Sequence, residues 1–140
     1  MTRLFLFLSL SLASAAFADE PAADWFRDGR AAYEGGDFGT ARQLFERAAA
    51  AVPTSDEYVH WLGKACGRLA ERANWLSAVK LARRTRSALE RAVELNPDNH
   101  AALADLARYY ADAPGFLGGD PAKAAAIRAR LQALPATAIP

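Results

Sequence analysis

The residue types that most often carry enzyme or metal chemistry are few and scattered in this sequence. Its two histidines, His60 and His100, fall in different segments of the chain. Neither belongs to a cluster of Cys, His and carboxylate residues with the spacing of metal ligands. The single cysteine, Cys66, lacks a neighbouring histidine that would activate its thiol. A small buried residue is therefore the expected role of Cys66.

Two further patterns that support catalysis are also missing. The glycine-rich stretch from Gly115 to Gly119 has no Lys-Ser/Thr pair and does not follow a strand, so it does not predict a phosphate-binding loop. The acidic residues are scattered without an evident acid and base pair. The sequence therefore predicts a protein that is not an enzyme, with no cofactor and no metal site.

The first eighteen residues are typical of a secretory signal peptide. Arg3 precedes an apolar run from Leu4 to Leu12, and Ala16-Phe17-Ala18 forms a small-residue cleavage site. The run is shorter than the roughly 20 residues that span a bilayer, so stable membrane insertion is not expected. We predict cleavage after Ala18 and a periplasmic or secreted protein, with a helical domain over 19–134 and a tail over 135–140.

The charge balance excludes some classes of partner. The chain has 17 basic and 16 acidic residues, and removal of Arg3 leaves the mature chain neutral. This gives no support for binding to nucleic acid or to a membrane surface. The charge is nevertheless uneven, because eight basic and two acidic residues lie between Lys64 and Arg91.

Helix signals occupy nearly all of the mature chain, and strand signals are missing. Apolar residues recur at three- and four-residue spacing between Gly-, Pro- and Asn-containing breakers. Ser55, Asn99 and Asp120 are suitable N-cap residues. The pattern predicts six helices that would form three hairpins: Asp24–Tyr33, Thr40–Val52, Asp56–Arg72, Leu76–Leu95, His100–Ala111 and Ala122–Leu134.

A repeat runs through these segments. Each unit begins with a bulky residue followed by a small one. In the first two units a further small residue and a large apolar residue come later, and a proline ends the unit. Gly63 lies 34 residues after Gly29. The first unit contains Trp25, Gly29, Ala32, Tyr33, Ala41, Phe45, Ala48 and Pro53; the second contains Val59, Leu62, Gly63, Cys66, Leu89, Ala92 and Pro97; the third contains Leu103, Leu106, Ala107 and Tyr110.

This pattern resembles the tetratricopeptide repeat, although Asp28 stands where that family usually has Leu. The resemblance implies an all-α fold of three antiparallel helix hairpins stacked as a short right-handed α-solenoid. The interval from Gly63 to Pro97 is ten residues longer than the interval from Gly29 to Pro53. Shared between two helices, they would lengthen each by about 7 Å. The elongated middle hairpin is similar to that of exported bacterial tetratricopeptide proteins, and distantly to the eukaryotic regulators of microtubule dynamics.

The resemblance also implies a concave binding groove lined by the first helix of each repeat. Arg30, Lys64 and Arg108 follow the small packing position of their repeats, so stacking would place three cations along that groove. Members of the family hold acidic peptide tails with such side chains. The alternative interpretation of these three cations is that they belong to a solvated face of an amphipathic helix and bind nothing. The residues expected to flank these cations are Phe26, Tyr33, His60 and Arg68.

Two other segments are candidate contact surfaces. Phe116 and Leu117 lie between glycines and would form either a movable lip over the groove or a plug at the end of the hairpin. Ile127, Leu131 and Leu134 in the last helix would be partly exposed, or buried against a second copy of the chain. The preferred function is an adaptor that binds a protein or peptide, with an acidic segment as one candidate. The alternatives are a self-associating structural unit and a binder of a small anionic ligand.

Overall fold

The computed structural model describes residues 11–136, and side chains from residue 19 onward. This part of the chain is all-α and contains no β-strand. Its helices are α1 (Ser11–Glu34), α2 (Phe38–Ala51), α3 (Asp56–Ala70), α4 (Trp75–Leu95), α5 (His100–Asp112) and α6 (Pro121–Ala133), with a short 3₁₀ turn at Gly115–Leu117.

Each of the six predicted segments is a helix, and most ends differ from the prediction by no more than two residues. The exception is α1, which is already helical at Ser11, the first residue that the structure describes, and continues across the Ala18–Asp19 peptide bond. The Ala-rich sequence before Asp24 explains this, since alanine is the best helix former. The remainder of the predicted signal peptide, residues 1–10, and the last four residues of the tail lie outside the described residues.

Side-chain caps begin most of the helices. The predicted caps are confirmed, since the side chains of Ser55, Asn99 and Asp120 each accept a hydrogen bond from a backbone N–H in the first turn of their helix. Asp37 and Asn74 do the same at the starts of α2 and α4. Such caps satisfy backbone donors that lack a partner within the helix, and each is typically worth ~1 kcal/mol.

Small residues allow successive helices to approach closely. Each helix packs against the next one along the chain. A Cβ atom added at Gly29 in α1 would lie 2.7 Å from Cε1 of Phe45 in α2, and one added at Gly63 in α3 would lie 3.2 Å from Cβ of Ala88 in α4. Both distances are shorter than ordinary carbon contacts. The two glycines therefore set how near their helices can lie.

The core contains many of the large apolar residues of the repeat pattern. Phe45, Leu89, Leu106 and Tyr110 are buried, and so is Phe38 at the start of α2. Trp25 and Leu62 are only half-buried. Cys66 is also completely buried, and this burial raises the pKa of its thiol. The expectation that it is a small core residue is confirmed.

The elongation of the middle pair of helices lies almost entirely in α4. That helix has 21 residues, whereas α2 has 14 and α3 has 15. Gly63 faces Leu89 and Gly67 faces Thr85, so the last residue of α3, Ala70, lies at the level of Ala82. The expectation that both helices lengthen equally is therefore wrong. About two turns at the start of α4 extend beyond the end of α3, a distance of roughly 10 Å.

The last helix covers one end of the core. Ala124 is buried in a cluster with Leu89, Leu106 and Tyr110, and Ile127 packs against that cluster. Leu131 and Leu134 are half-buried. Within residues 11–136, no helix combines the length and the apolar character that crossing a membrane requires.

Candidate functional site

The described part of the chain contains a groove of about 870 Å³. Side chains of α1, α3, α4 and α5 line it, together with Phe38 at the start of α2 and the segment from Ala113 to Leu117. Its volume lies in the range of ~300–1,000 Å³ that is usual for ligand sites. We call it the central groove.

The structure brings some of the predicted site residues together in the central groove and leaves others outside it. Four predicted site residues that do not line it are Phe26, Arg30, His60 and Phe116. Those that do line it are Tyr33, Lys64, Arg68, Arg108 and Leu117.

Phe26 lies in an aromatic cluster instead. Its ring centroid is 4.7 Å from that of Tyr58, 5.7 Å from that of Phe45 and 6.3 Å from that of Trp61. These separations are those of packed aromatic pairs. The large ring fits between α1, α2 and α3, and it therefore contributes to packing and not to the groove wall.

Two of the predicted cations contact the ring of Trp61. The Nζ of Lys64 lies 3.8 Å from the centroid of the Trp61 ring and 5.5 Å from that of Tyr33. The guanidinium of Arg30 lies 4.9 Å from the same Trp61 ring and 3.7 Å from Oε1 of Glu34. Cation–π contacts of this kind attract a cation to the face of an aromatic ring. Arg30 and Lys64 are therefore neighbours on Trp61, but only Lys64 reaches the central groove.

The charges in the central groove are mixed. Arg68 is 3.0 Å from Glu71, and Arg108 is 2.6 Å from Asp105. Lys64 forms no ion pair with any residue whose side chain is described. The lining carries three cations and four carboxylates, contributed by Glu34, Glu71, Asp105 and Asp112. The alignment of positive side chains expected from the repeat is thus largely neutralised by carboxylates of the same groove.

His60 lies beneath the groove wall and not beside the predicted cations. It is 4% exposed, and its Nε2 donates a hydrogen bond of 2.7 Å to Oδ2 of Asp105 in α5. The expected role of His60 as a flanking groove residue is therefore not what the structure shows, because its side chain is buried and bonded to Asp105.

Asp105 connects the buried histidine to the groove. Its other oxygen, Oδ1, accepts a hydrogen bond from Nη2 of Arg108. Burial acts to raise the pKa of the Asp105 carboxyl, but the hydrogen bond and charge of His60 and the charges of Arg108 and Lys64 outweigh it and lower that pKa. The carboxylate is therefore ionised at neutral pH and holds the Arg108 side chain in place.

The segment after α5 closes one end of the groove. The carbonyl oxygen of Leu117 accepts hydrogen bonds from Oη of Tyr109, at 2.8 Å, and from Nη1 of Arg86, at 3.4 Å. A Cβ atom at Gly119 would collide with the carbonyl group of Ala113. Within this segment, the Leu117 side chain lines the groove, while that of Phe116 lies outside it against Trp75.

Sequence reasoning did not single out Trp61 or Asp105 as site residues. A signal for Asp105 was present, because it lies three residues before Arg108 on one helix, which is the spacing of a helical ion pair. A similar signal was present for Trp61, which lies three residues before Lys64 on α3, whereas its contact with Arg30 of α1 could not be read from spacing along the chain. Among the residues whose side chains are described, no group of three or more His, Cys, Asp and Glu residues is arranged to hold a metal ion.

No model of a known protein family matches the chain, and no curated protein sequence is similar to it.

Proposed function

We propose that this protein binds a segment of another polypeptide in the central groove and acts as an adaptor, not as an enzyme. The proposal includes a tetratricopeptide-type solenoid of three helical hairpins. The 34-residue interval between Gly29 and Gly63 and the close approach of each glycine to the following helix support that architecture.

The observation that carries the proposal is the position of Lys64. Lys64 lines the groove with its ammonium group over the rings of Trp61 and Tyr33, and no described carboxylate forms an ion pair with it. Arg68 and Arg108, by contrast, are occupied by Glu71 and Asp105. Lys64 is therefore the groove cation best able to form a new charge-assisted hydrogen bond with a carboxylate or a carbonyl oxygen of a ligand.

The rest of the lining fits a polypeptide better than a small anion. Glu34 and Asp112 add exposed carboxylates to the groove, while Tyr33, Tyr109 and Leu117 provide apolar contact area. A small anion would meet four carboxylates, whereas a peptide segment has N–H donors, carbonyl acceptors and apolar side chains to match such a surface. We expect a segment that carries an acidic group next to donors or basic groups.

Selection from a random peptide library on the immobilised wild-type protein tests this proposal. The selected peptide is then titrated against wild type, Lys64→Gln and Lys80→Gln. Lys80 is the matched control, because it is an exposed lysine of α4 outside the groove. Lys64→Gln should weaken binding by about tenfold or more, and Lys80→Gln should leave it unchanged. Equal affinity for all three proteins would remove the groove as the binding site.

The place of action is a further part of the proposal. The apolar run Leu4–Leu12 and the cleavage pattern Ala16-Phe17-Ala18 support export from the cytoplasm. The partner would then be an envelope or secreted protein.

A further inference from the structure

Three large apolar side chains form an exposed cluster at the projecting start of α4. Trp75 is 69% exposed, Leu76 is 73% exposed and Phe116 is 59% exposed. The ring centroids of Trp75 and Phe116 are 5.8 Å apart, so residues from two separate elements form one surface. We call these three residues the apical patch. Folded proteins of this size rarely leave several large apolar side chains together in water without a use for them.

The position of the apical patch follows from the unequal length of the helices. The first two turns of α4 extend beyond the end of α3, so Trp75 and Leu76 have no α3 residues beside them. The hydrogen bonds to the Leu117 carbonyl hold the neighbouring 3₁₀ turn and thereby present Phe116 next to Trp75. The patch thus stands at a protruding end of the molecule, outside the central groove.

Cations lie next to the apical patch. Lys80 and Arg83 follow Leu76 by four and seven residues, which places both on the Leu76 side of α4. Arg72 precedes the patch in the chain, and its guanidinium lies 4.7 Å from the centroid of the Phe38 ring. All three are exposed, and none forms an ion pair with a residue whose side chain is described. Two acidic residues lie nearby. Glu71 is paired with Arg68, whereas Asp112 is an exposed carboxylate at the end of α5.

We propose that the apical patch docks the protein onto an anionic lipid surface. Trp75, Leu76 and Phe116 would enter the interfacial region of the lipid, where aromatic and aliphatic side chains are favoured. Lys80 and Arg83 would then lie at the level of the lipid phosphates, where each cation near the surface adds attraction. A chain that is neutral as a whole can dock in this way because attraction to the membrane depends on the charges close to it.

A second copy of the chain fits this surface less well. In a symmetric dimer through the patch, the cations of one copy would lie near the same cations of the other copy, and like charges repel. Three side chains also cover much less than the ~1,000 Å² that a stable protein interface buries. Shallow contact with lipid requires no matching partner surface, so it suits a small apolar patch with cations next to it.

The proposal is tested on the full chain with two kinds of vesicle, one of phosphatidylcholine and one an equimolar mixture of phosphatidylcholine and phosphatidylglycerol. Lipids with brominated acyl chains report the depth of Trp75, because bromine quenches nearby tryptophan. The Trp75 signal is the difference between wild type and Trp75→Phe, which keeps an apolar ring at that position. We expect quenching of Trp75 by the mixed vesicles that declines as salt is added.

Two sets of variants identify the surface that binds. The triple variant Trp75→Ser/Leu76→Ser/Phe116→Ser should bind the mixed vesicles about tenfold more weakly or worse, with its helical circular dichroism retained. Arg83→Glu should weaken binding by about fivefold. Its matched control, Arg47→Glu, makes the same charge change at an exposed arginine of α2 and should bind as wild type does.

Three results would overturn the proposal. The first is vesicle-bound protein in which Trp75 is not quenched, since the apolar N-terminal run would then account for the binding. The second is equal binding by wild type and the triple variant. The third is a concentration-dependent dimer in sedimentation that the triple variant loses, because the patch would then join two copies. Each is independent of the peptide-binding proposal, since Lys64 lies outside the patch.

Discussion

Nε2 of His60 in α3 and Oδ2 of Asp105 in α5 are 2.7 Å apart, although the two residues are separated by 45 positions in the chain. The histidine is buried, and Asp105 also accepts a hydrogen bond from Arg108 at the rim of the central groove. One carboxylate therefore links two helices and positions a groove cation. This relationship makes Asp105 the residue whose replacement should affect both stability and the groove.

Asp105→Asn is expected to destabilise the fold by about 1–3 kcal/mol, because it replaces charge-assisted hydrogen bonds with weaker neutral ones. Urea unfolding followed by circular dichroism measures this loss. Asp112→Asn is the matched control, since Asp112 is an exposed carboxylate of the same helix and also lines the groove. If Asp105→Asn had the same midpoint urea concentration of unfolding as wild type, the His60–Asp105 pair would not stabilise the protein.

The stability of the folded protein should depend on pH through the ionisation of Asp105. Its pKa is lower in the folded protein than in the unfolded chain, so its contribution is fully present above the ordinary aspartate pKa of about 4. The contribution is lost as the pH falls through the folded-state pKa. We expect the melting temperature of wild type to decrease over this acidic range and that of Asp105→Asn to decrease less. Parallel curves for the two proteins would contradict the assignment.

Two glycines of α3 should respond in opposite ways to substitution. A side chain at Gly63 meets Ala88 at 3.2 Å, so Gly63→Leu should force α3 and α4 apart and cost ~1–3 kcal/mol. A Cβ at Gly67 meets Thr85 only at 3.5 Å, which is an ordinary contact. Gly67→Ala should therefore stabilise the helix by ~0.5–1 kcal/mol. Thermal melts distinguish the two, and a stable Gly63→Leu variant would mean that the helix contact is wrongly placed.

The segment over the groove should loosen when its anchor is removed. Tyr109→Phe deletes the hydroxyl that donates to the Leu117 carbonyl, at a cost of about 1 kcal/mol. Amide hydrogen exchange at Leu117 and Gly118 should become severalfold faster, with little change in the core helices. Tyr58→Phe is the control, because the Tyr58 ring packs on Phe26 away from this segment. Unaltered exchange at Leu117 and Gly118 would show that other contacts hold the segment.

Export remains a prediction. The mature protein should begin at Asp19, and intact-mass measurement of protein recovered outside the cytoplasm checks it. Ala18→Arg should block processing, because the cleavage site requires a small residue there. Recovery of exported wild-type protein with Met1 to Ala18 still attached would contradict the prediction of a cleaved signal.

The sequence alone was sufficient for the helices and for much of the core. Apolar spacing, Gly and Pro breakers and caps such as Ser55 and Asn99 act over a few residues, so they can be read along the chain. The same holds for Phe45 and Leu106, which repeat spacing places in the core and which are buried. Gly29 and Gly63 could be recognised as contact points because only a small residue allows helices to approach so closely.

Tertiary structure decided which of the predicted site residues meet. Arg30, Lys64 and Arg108 were expected at equivalent positions of the repeat, yet Arg30 lies on Trp61 outside the groove and Arg108 is bonded to Asp105. Side-chain direction and the charge of a neighbouring helix depend on packing between distant segments, which a periodic pattern does not contain. The same reason explains why the extra residues of the middle pair lengthen α4 and expose Trp75. The register between α3 and α4 is set by how their side chains fit together, and spacing along the chain does not specify that register.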